Sequence, residues 1–166
     1  FVALIVSNAL GFAGEEMRVA AQAWWILAEG GSNSAVGLAG GLRIFPVIII
    51  SLYAGVMIDR FGGKRVLLVE RWALVALGLV TAFLLLSGQA EVWHIVLLST
   101  IAGATIAIGF PATQTLVAEI VPTELRSSAN LLNQLGPSAG RSIGVTLTGF
   151  LIGLRDVTTA FFGLAI

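Results

Sequence analysis

The sequence has no cysteine, a single histidine, and only 11% charged residues among 166. The missing cysteines exclude a disulfide framework, a thiolate metal site and a cysteine nucleophile. One histidine gives no basis for a histidine-built zinc centre. Nine basic and nine acidic residues cancel, which leaves no basic field to hold nucleic acid. No Gly-rich phosphate loop, HExxH pattern or nucleophile–base pair is present, so nothing points to an enzyme. Water-soluble domains carry about 25% charged residues. Here 57% of residues are hydrophobic and the mean hydropathy is +0.98. Lipid is the solvent these proportions imply.

A membrane-crossing helix needs about 20 mostly apolar residues. Residues 72–90 carry no charge, and residues 92–118 contain only His94. Residues 34–58 are interrupted by Arg43 alone and residues 127–154 by Arg141 alone. Residues 1–28 are apolar at both ends, with Glu15, Glu16 and Arg18 in the middle. They read as one helix, the alternative being two short pieces that do not cross. Residues 157–166 begin a sixth apolar run. Lipid offers the backbone no hydrogen-bond partner, so helices are the default, and the alternation of a membrane barrel is absent. The expectation is an all-α membrane protein with helices near 1–28, 34–58, 66–88, 92–118 and 127–154. A partial sixth would cover 157–166. Opening on Phe1 and stopping inside an apolar run, the sequence reads as a piece of a longer chain.

Short links alternate between the two sides of the membrane. Arg60, Lys64, Arg65 and Arg126 fall on one side, with Arg71 nearby; Arg155 stands alone on the other. An excess of Lys and Arg marks the cytoplasmic side, which places the N-terminus in the cytoplasm of a multi-pass cell (inner) membrane protein. Trp24, Trp25, Trp72 and Trp93 fit interfacial belts, and His94 an interfacial position.

Each charge at a helix centre costs about 2.5–3.5 kcal/mol on insertion, and such residues usually face a bundle interior or a water-filled path. On the first helix Asn8, Gly11, Glu15, Arg18 and Gln22 recur at spacings of three and four and share one face. Glu15 and Arg18 are spaced to pair across one turn, whereas Glu16 looks elsewhere and needs Arg43 or Arg141. On the fifth helix Asn130, Gln134, Pro137, Arg141 and Thr148 lie near one face, with Pro137 between Gly136 and Gly140 loosening the helix. Arg43 precedes Pro46 by one turn. The charges can serve transport or simply clamp helices together. A carboxylate held between lipid and a cation is balanced between two protonation states, the condition proton coupling requires.

Between the second and third spans the chain reads Gly55-Val-Met-Ile-Asp59-Arg60-Phe61-Gly62-Gly63-Lys64-Arg65. This resembles the signature loop GxxxDRxGRRR of the major facilitator superfamily, with Gly63 at the first of its three basic positions. Gly55 would permit close helix approach, and Asp59 would meet a helix N-terminus. Arg43-Ile-Phe-Pro46 and the stretch from Pro111 through Gln114 and Glu119 to Pro122 are similar to the drug-exporter branch that includes enterobactin exporters. So is Asn133 through Arg141 to Gly144, although Val145 replaces its usual proline. Glu15 and Glu16 stand where that branch has uncharged residues.

The resemblance implies the N-terminal six-helix half of a twelve-helix secondary transporter, its sixth helix truncated. Such a protein exports a small molecule by alternating access against inward proton flow, without a cofactor. The alternatives are an uptake symporter and a non-transporting membrane scaffold or inactive half. Its partners would be a small-molecule substrate, the bilayer and the C-terminal half of the same carrier. The proton-coupling candidates are Glu15 and Glu16, and the cavity candidates are Arg18, Gln22, Arg43, Gln114, Gln134 and Arg141. Gly55, Asp59, Arg60, Gly62, Lys64 and Arg65 would gate.

Overall fold

The computed structural model describes residues 1–29 and 31–154. Within them the chain is helical and without strands. The order is α1 (Val2–Ala28), α2 (Asn33–Phe61), α3 (Gly63–Leu86), α4 (Val92–Ile120), a single 3-10 turn (Thr123–Leu125) and α5 (Arg126–Leu154). The expected sixth helix at 157–166, and Arg155, lie outside the described residues. Residues 2–28 form one helix rather than two short pieces.

At about 1.5 Å per residue, helices of 24 to 29 residues exceed the roughly 30 Å hydrocarbon core. Of the described helices, α2, α3 and α4 are long and apolar enough to cross a membrane, with mean hydropathies of 2.0, 1.9 and 2.0. The charges of α1 and the Ser, Thr, Asn and Gly content of α5 keep those two below that standard. One buried polar contact, between Asn8 and Asn133, joins them.

The links are tight. Ser32 caps α2, its hydroxyl accepting the Ala35 N–H at 3.2 Å, which satisfies one of the donors a helix start leaves open. Glu91 and His94 bond reciprocally at the start of α4. The His94 N–H donates to the Glu91 carbonyl at 3.0 Å, and the Glu91 N–H donates to His94 Nδ1 at 3.1 Å. The Trp93 indole N–H reaches the Glu91 carboxylate at 2.7 Å.

The expected loop at 59–65 is not a loop. Residues 59–61 complete α2, residues 63–65 open α3, and Gly62 alone joins them at φ 82°. That left-handed conformation suits glycine, and the Gly62 N–H closes α2 on the Ile58 carbonyl at 2.8 Å. Charged residues read as loop because they leave the lipid, but a helix longer than the core carries them out while remaining a helix.

The described residues form two compact units: Ala23–Thr115, and Phe1–Gln22 together with residues 116–154. In the first, buried Ile26, Ala39 and Ile95 form a core flanked by Trp25, Val36 and Leu85. A Cβ on Gly103 would strike the Arg43 carbonyl, and one on Gly109 would strike the Glu70 carboxylate. Glycine at both positions therefore lets α4 approach α2 and α3 closely.

In the second unit α1 and α5 meet along a glycine ladder. Gly136 lies against Ile5, Gly140 against the Ala9 carbonyl, and Gly144 against the Ala13 carbonyl. Both registers rise together in steps of four, so the two helices run parallel. Val117, Val121 and Ala129 pack beside Leu4 at one end.

Candidate functional site

The polar face of α1 is buried. Asn8, Glu15, Arg18 and Gln22 keep only 2–8% of their surface exposed. Their spacing of seven, three and four residues puts them on one helical stripe. Arg18 grips Glu15 with two donors, Nε to Oε2 at 2.9 Å and Nη2 to Oε1 at 2.5 Å. Its remaining Nη1 donates to Gln22 Oε1 at 3.1 Å. A planar guanidinium can do this because its donors are fixed in a fork that matches a carboxylate. The result is a hydrogen-bonded run of one anion, one cation and one amide within two turns.

Glu16, one position along, points toward α5. Arg141 Nε lies 3.5 Å from Glu16 Oε1, and the Arg141 guanidinium lies 5.0 Å from the centre of the Phe12 ring. The Arg141 side chain is 57% exposed, so this α1–α5 seam pair is more open than Glu15–Arg18, whose side chains are buried. A further bond ties the same two helices together: Asn8 Nδ2 donates to Asn133 Oδ1 at 2.9 Å.

The structure brings together Glu15, Arg18 and Gln22, and separately Glu16 and Arg141. It does not bring Gln134 to them. Gln134 and Asn130 are exposed on α5, away from that run. The buried face of α5 carries Asn133, Gly140, Gly144 and Thr148, sharing Thr148 with the expected stripe but rotated from its centre. Packing set that rotation: glycines meet the α1 backbone, and Thr148 returns its hydroxyl to the Gly144 carbonyl at 2.9 Å. Gly136 and Gly140 beside Pro137 thus serve contact, and α5 runs unbroken through the proline.

Arg43 and Gln114 belong to the other unit, half-buried on α2 and α4. So does Glu70, a residue the sequence reading passed over. It is 5% exposed, with Arg71 Nε 3.4 Å from its carboxylate. Its position near the basic joint disguised it as an interfacial charge; the Gly109 opposite it was the available signal.

The signature residues stand at the α2–α3 joint. Asp59, Arg60, Lys64 and Arg65 are exposed, and the Arg60 guanidinium lies 5.3 Å from the Phe61 ring centre. No atom comes within 4 Å of a Cβ built on Gly55. The close approach expected at Gly55 is thus not made by any described residue of this chain. Among the described residues no cluster of His, Cys, Asp and Glu has the makings of a metal site.

Comparison with known proteins agrees with the signature. The sequence model described as Major Facilitator Superfamily matches residues 4–166. A Klebsiella pneumoniae protein named "Putative multidrug resistance protein MdtD" is 33% identical over 118 residues, which is 69% of this chain and 25% of that protein. The Arabidopsis thaliana "Probable anion transporter 3, chloroplastic" is 24% identical over 132 residues, 80% of this chain and 25% of that protein. A Xenopus tropicalis protein named "Solute carrier family 2, facilitated glucose transporter member 10" is 27% identical over 123 residues, 74% of this chain and 21% of that protein. The chain therefore matches about a quarter of the length of these relatives. With its membrane-crossing helices, its joint motif and this match over nearly every residue, the chain belongs to the major facilitator superfamily of multi-pass membrane transporters.

Proposed function

We propose that the chain is the N-terminal bundle of a secondary active carrier that exports a small molecule by alternating access, driven by inward proton flow. The observation that carries this reading is the buried Glu15–Arg18–Gln22 run on α1. A charge inside a membrane helix is expensive and usually marks a path. Here two residues of opposite charge stand one turn apart, with an amide extending the chain of hydrogen bonds. Glu15 is the proton site in this reading, Arg18 its counter-ion, and Gln22 a substrate contact. Arg43, Gln114 and Arg141 serve as further cavity groups.

A second bundle, supplied by the remainder of the full-length protein, would complete the central cavity, with its site near the bilayer midplane. Asp59, Arg60, Lys64 and Arg65 at the single-residue joint would act on the conformational change rather than on cargo. The excess of basic residues at that joint supports a cytoplasmic placement, and with it a cytoplasmic N-terminus in the cell membrane. Export is favoured by the multidrug-resistance relatives, and anionic cargo by the relatives named as anion transporters.

The test is flux in proteoliposomes holding the full-length carrier under pH gradients of each sign. Export predicts that an inward proton gradient drives extrusion, and Glu15→Gln should abolish the response to the gradient. Uptake symport would show accumulation under the same gradient. Intact proton coupling in Glu15→Gln removes Glu15 from the role. Asp59→Asn should slow flux; no flux in any variant or gradient would leave only a scaffold.

A further inference from the structure

Helices α2, α3 and α4 enclose an apolar groove of about 570 Å³, within the roughly 300–1,000 Å³ typical of organic ligand sites. It follows α2 from Ile50 to Phe61, α3 from Arg65 to Ala73 and α4 from Ile101 to Ile108. Two of its polar wall groups are engaged within the protein. The Thr105 hydroxyl donates to the Ile101 carbonyl at 2.9 Å, and Glu70 lies 3.4 Å from Arg71.

Length and charge identify the occupant. The groove's span on α2 is about 16 Å at the helical rise per residue, and half of the hydrocarbon core is about 15 Å. One end lies at the Gly62 joint, which links two membrane-crossing helices and so sits at the membrane surface. There Phe61 and Arg65 line the mouth, Arg60 stacks on Phe61, and Lys64 is adjacent. A cationic mouth over an apolar slot one leaflet deep complements an anionic amphiphile. A protein helix of about 10 Å diameter and that length needs roughly 1,250 Å³, about twice the space available.

We propose that this groove holds one acyl chain of an anionic phospholipid, its phosphate paired with Arg65 and the neighbouring basic residues. The site is separate from the polar seam, and it stands whether or not the carrier is proton-driven.

Native mass spectrometry of the full-length protein, titrated with palmitoyl-oleoyl phosphatidylglycerol or phosphatidylcholine, tests it. The glycerol lipid should be retained in preference to the choline lipid, and Arg65→Gln should lower that preference about fivefold. Ala104→Phe, which fills the slot, should reduce retention of both lipids while circular dichroism stays unchanged; Ile108→Trp serves where that variant does not fold. Equal retention of the two lipids by the unmodified protein overturns the proposal. So does undiminished phosphatidylglycerol retention in a folded slot-filled variant.

Discussion

Asn8 on α1 donates its amide to the Asn133 side chain on α5 at 2.9 Å, both residues buried and 125 positions apart in the chain. Hydrogen bonds between helices in lipid are worth about 0.6 kcal/mol on average and up to about 1.7. Asn133→Leu should therefore destabilise the protein by about 1 kcal/mol. A double-mutant cycle with Asn8→Ala should return a coupling near the lower figure, read from thermal unfolding in detergent. A coupling of zero would mean that the pair is incidental to α1–α5 association.

The glycine ladder makes a sharper prediction. Gly140→Ala and Gly144→Ala drive a methyl into the Ala9 and Ala13 carbonyls, and overpacking of this kind costs about 1–3 kcal/mol. Gly149→Ala, on the same helix with nothing within 4 Å, should instead be neutral or stabilising by up to about 1 kcal/mol. Equal melting temperatures for all three variants would contradict the packing described.

For the Glu15–Arg18 pair the single and double replacements should diverge. Removing one partner of a buried pair costs about 3–5 kcal/mol, whereas replacing both with apolar groups is often near neutral. Arg18→Leu should thus unfold more readily than Glu15→Leu/Arg18→Leu together. Gln22 shares Arg18, so some loss should persist in the double variant.

The α4–α5 link is held from outside the lipid. Arg126 donates from Nη2 to the Ala118 carbonyl at 2.8 Å and from Nε to the Val121 carbonyl at 3.3 Å, placing a cation on the carbonyl end of α4. Arg126→Ala should cost about 0.3–1 kcal/mol, less at high salt. Beside it, Glu124's carboxyl is held below its ordinary value of 4.5 by its backbone hydrogen bond and then by the Thr123 hydroxyl. A lowered folded-state value stabilises above the ordinary one, and that stabilisation disappears as pH falls through the folded-state value. Glu124→Gln should flatten the acid limb of the stability profile, measured against the unmodified protein.

The stripe on α1 was legible because charged and amide residues at spacings of three and four identify a buried face even in lipid. On α5 the same reasoning selected Gln134 and Arg141 and missed Asn133. In lipid an apolar face does not mark the interior; small residues do, and Gly140 and Gly144 determined which face turned inward. The spans of α2 through α4 followed from length and composition. Helix at 59–65 was hidden because charge reports where the chain leaves the membrane, not where a helix stops. Glu70 was hidden because its burial depends on Gly109, some forty positions away.

The parallel course of α1 and α5 has a practical corollary. Val2 and Arg126 stand at the same end of that helix pair. Because the chain lacks native cysteine, one thiol introduced at each of these positions can be labelled with an impermeant maleimide against a silent background. Matched labelling or matched protection of the two sites in intact cells reads out which side of the membrane that end of the pair faces.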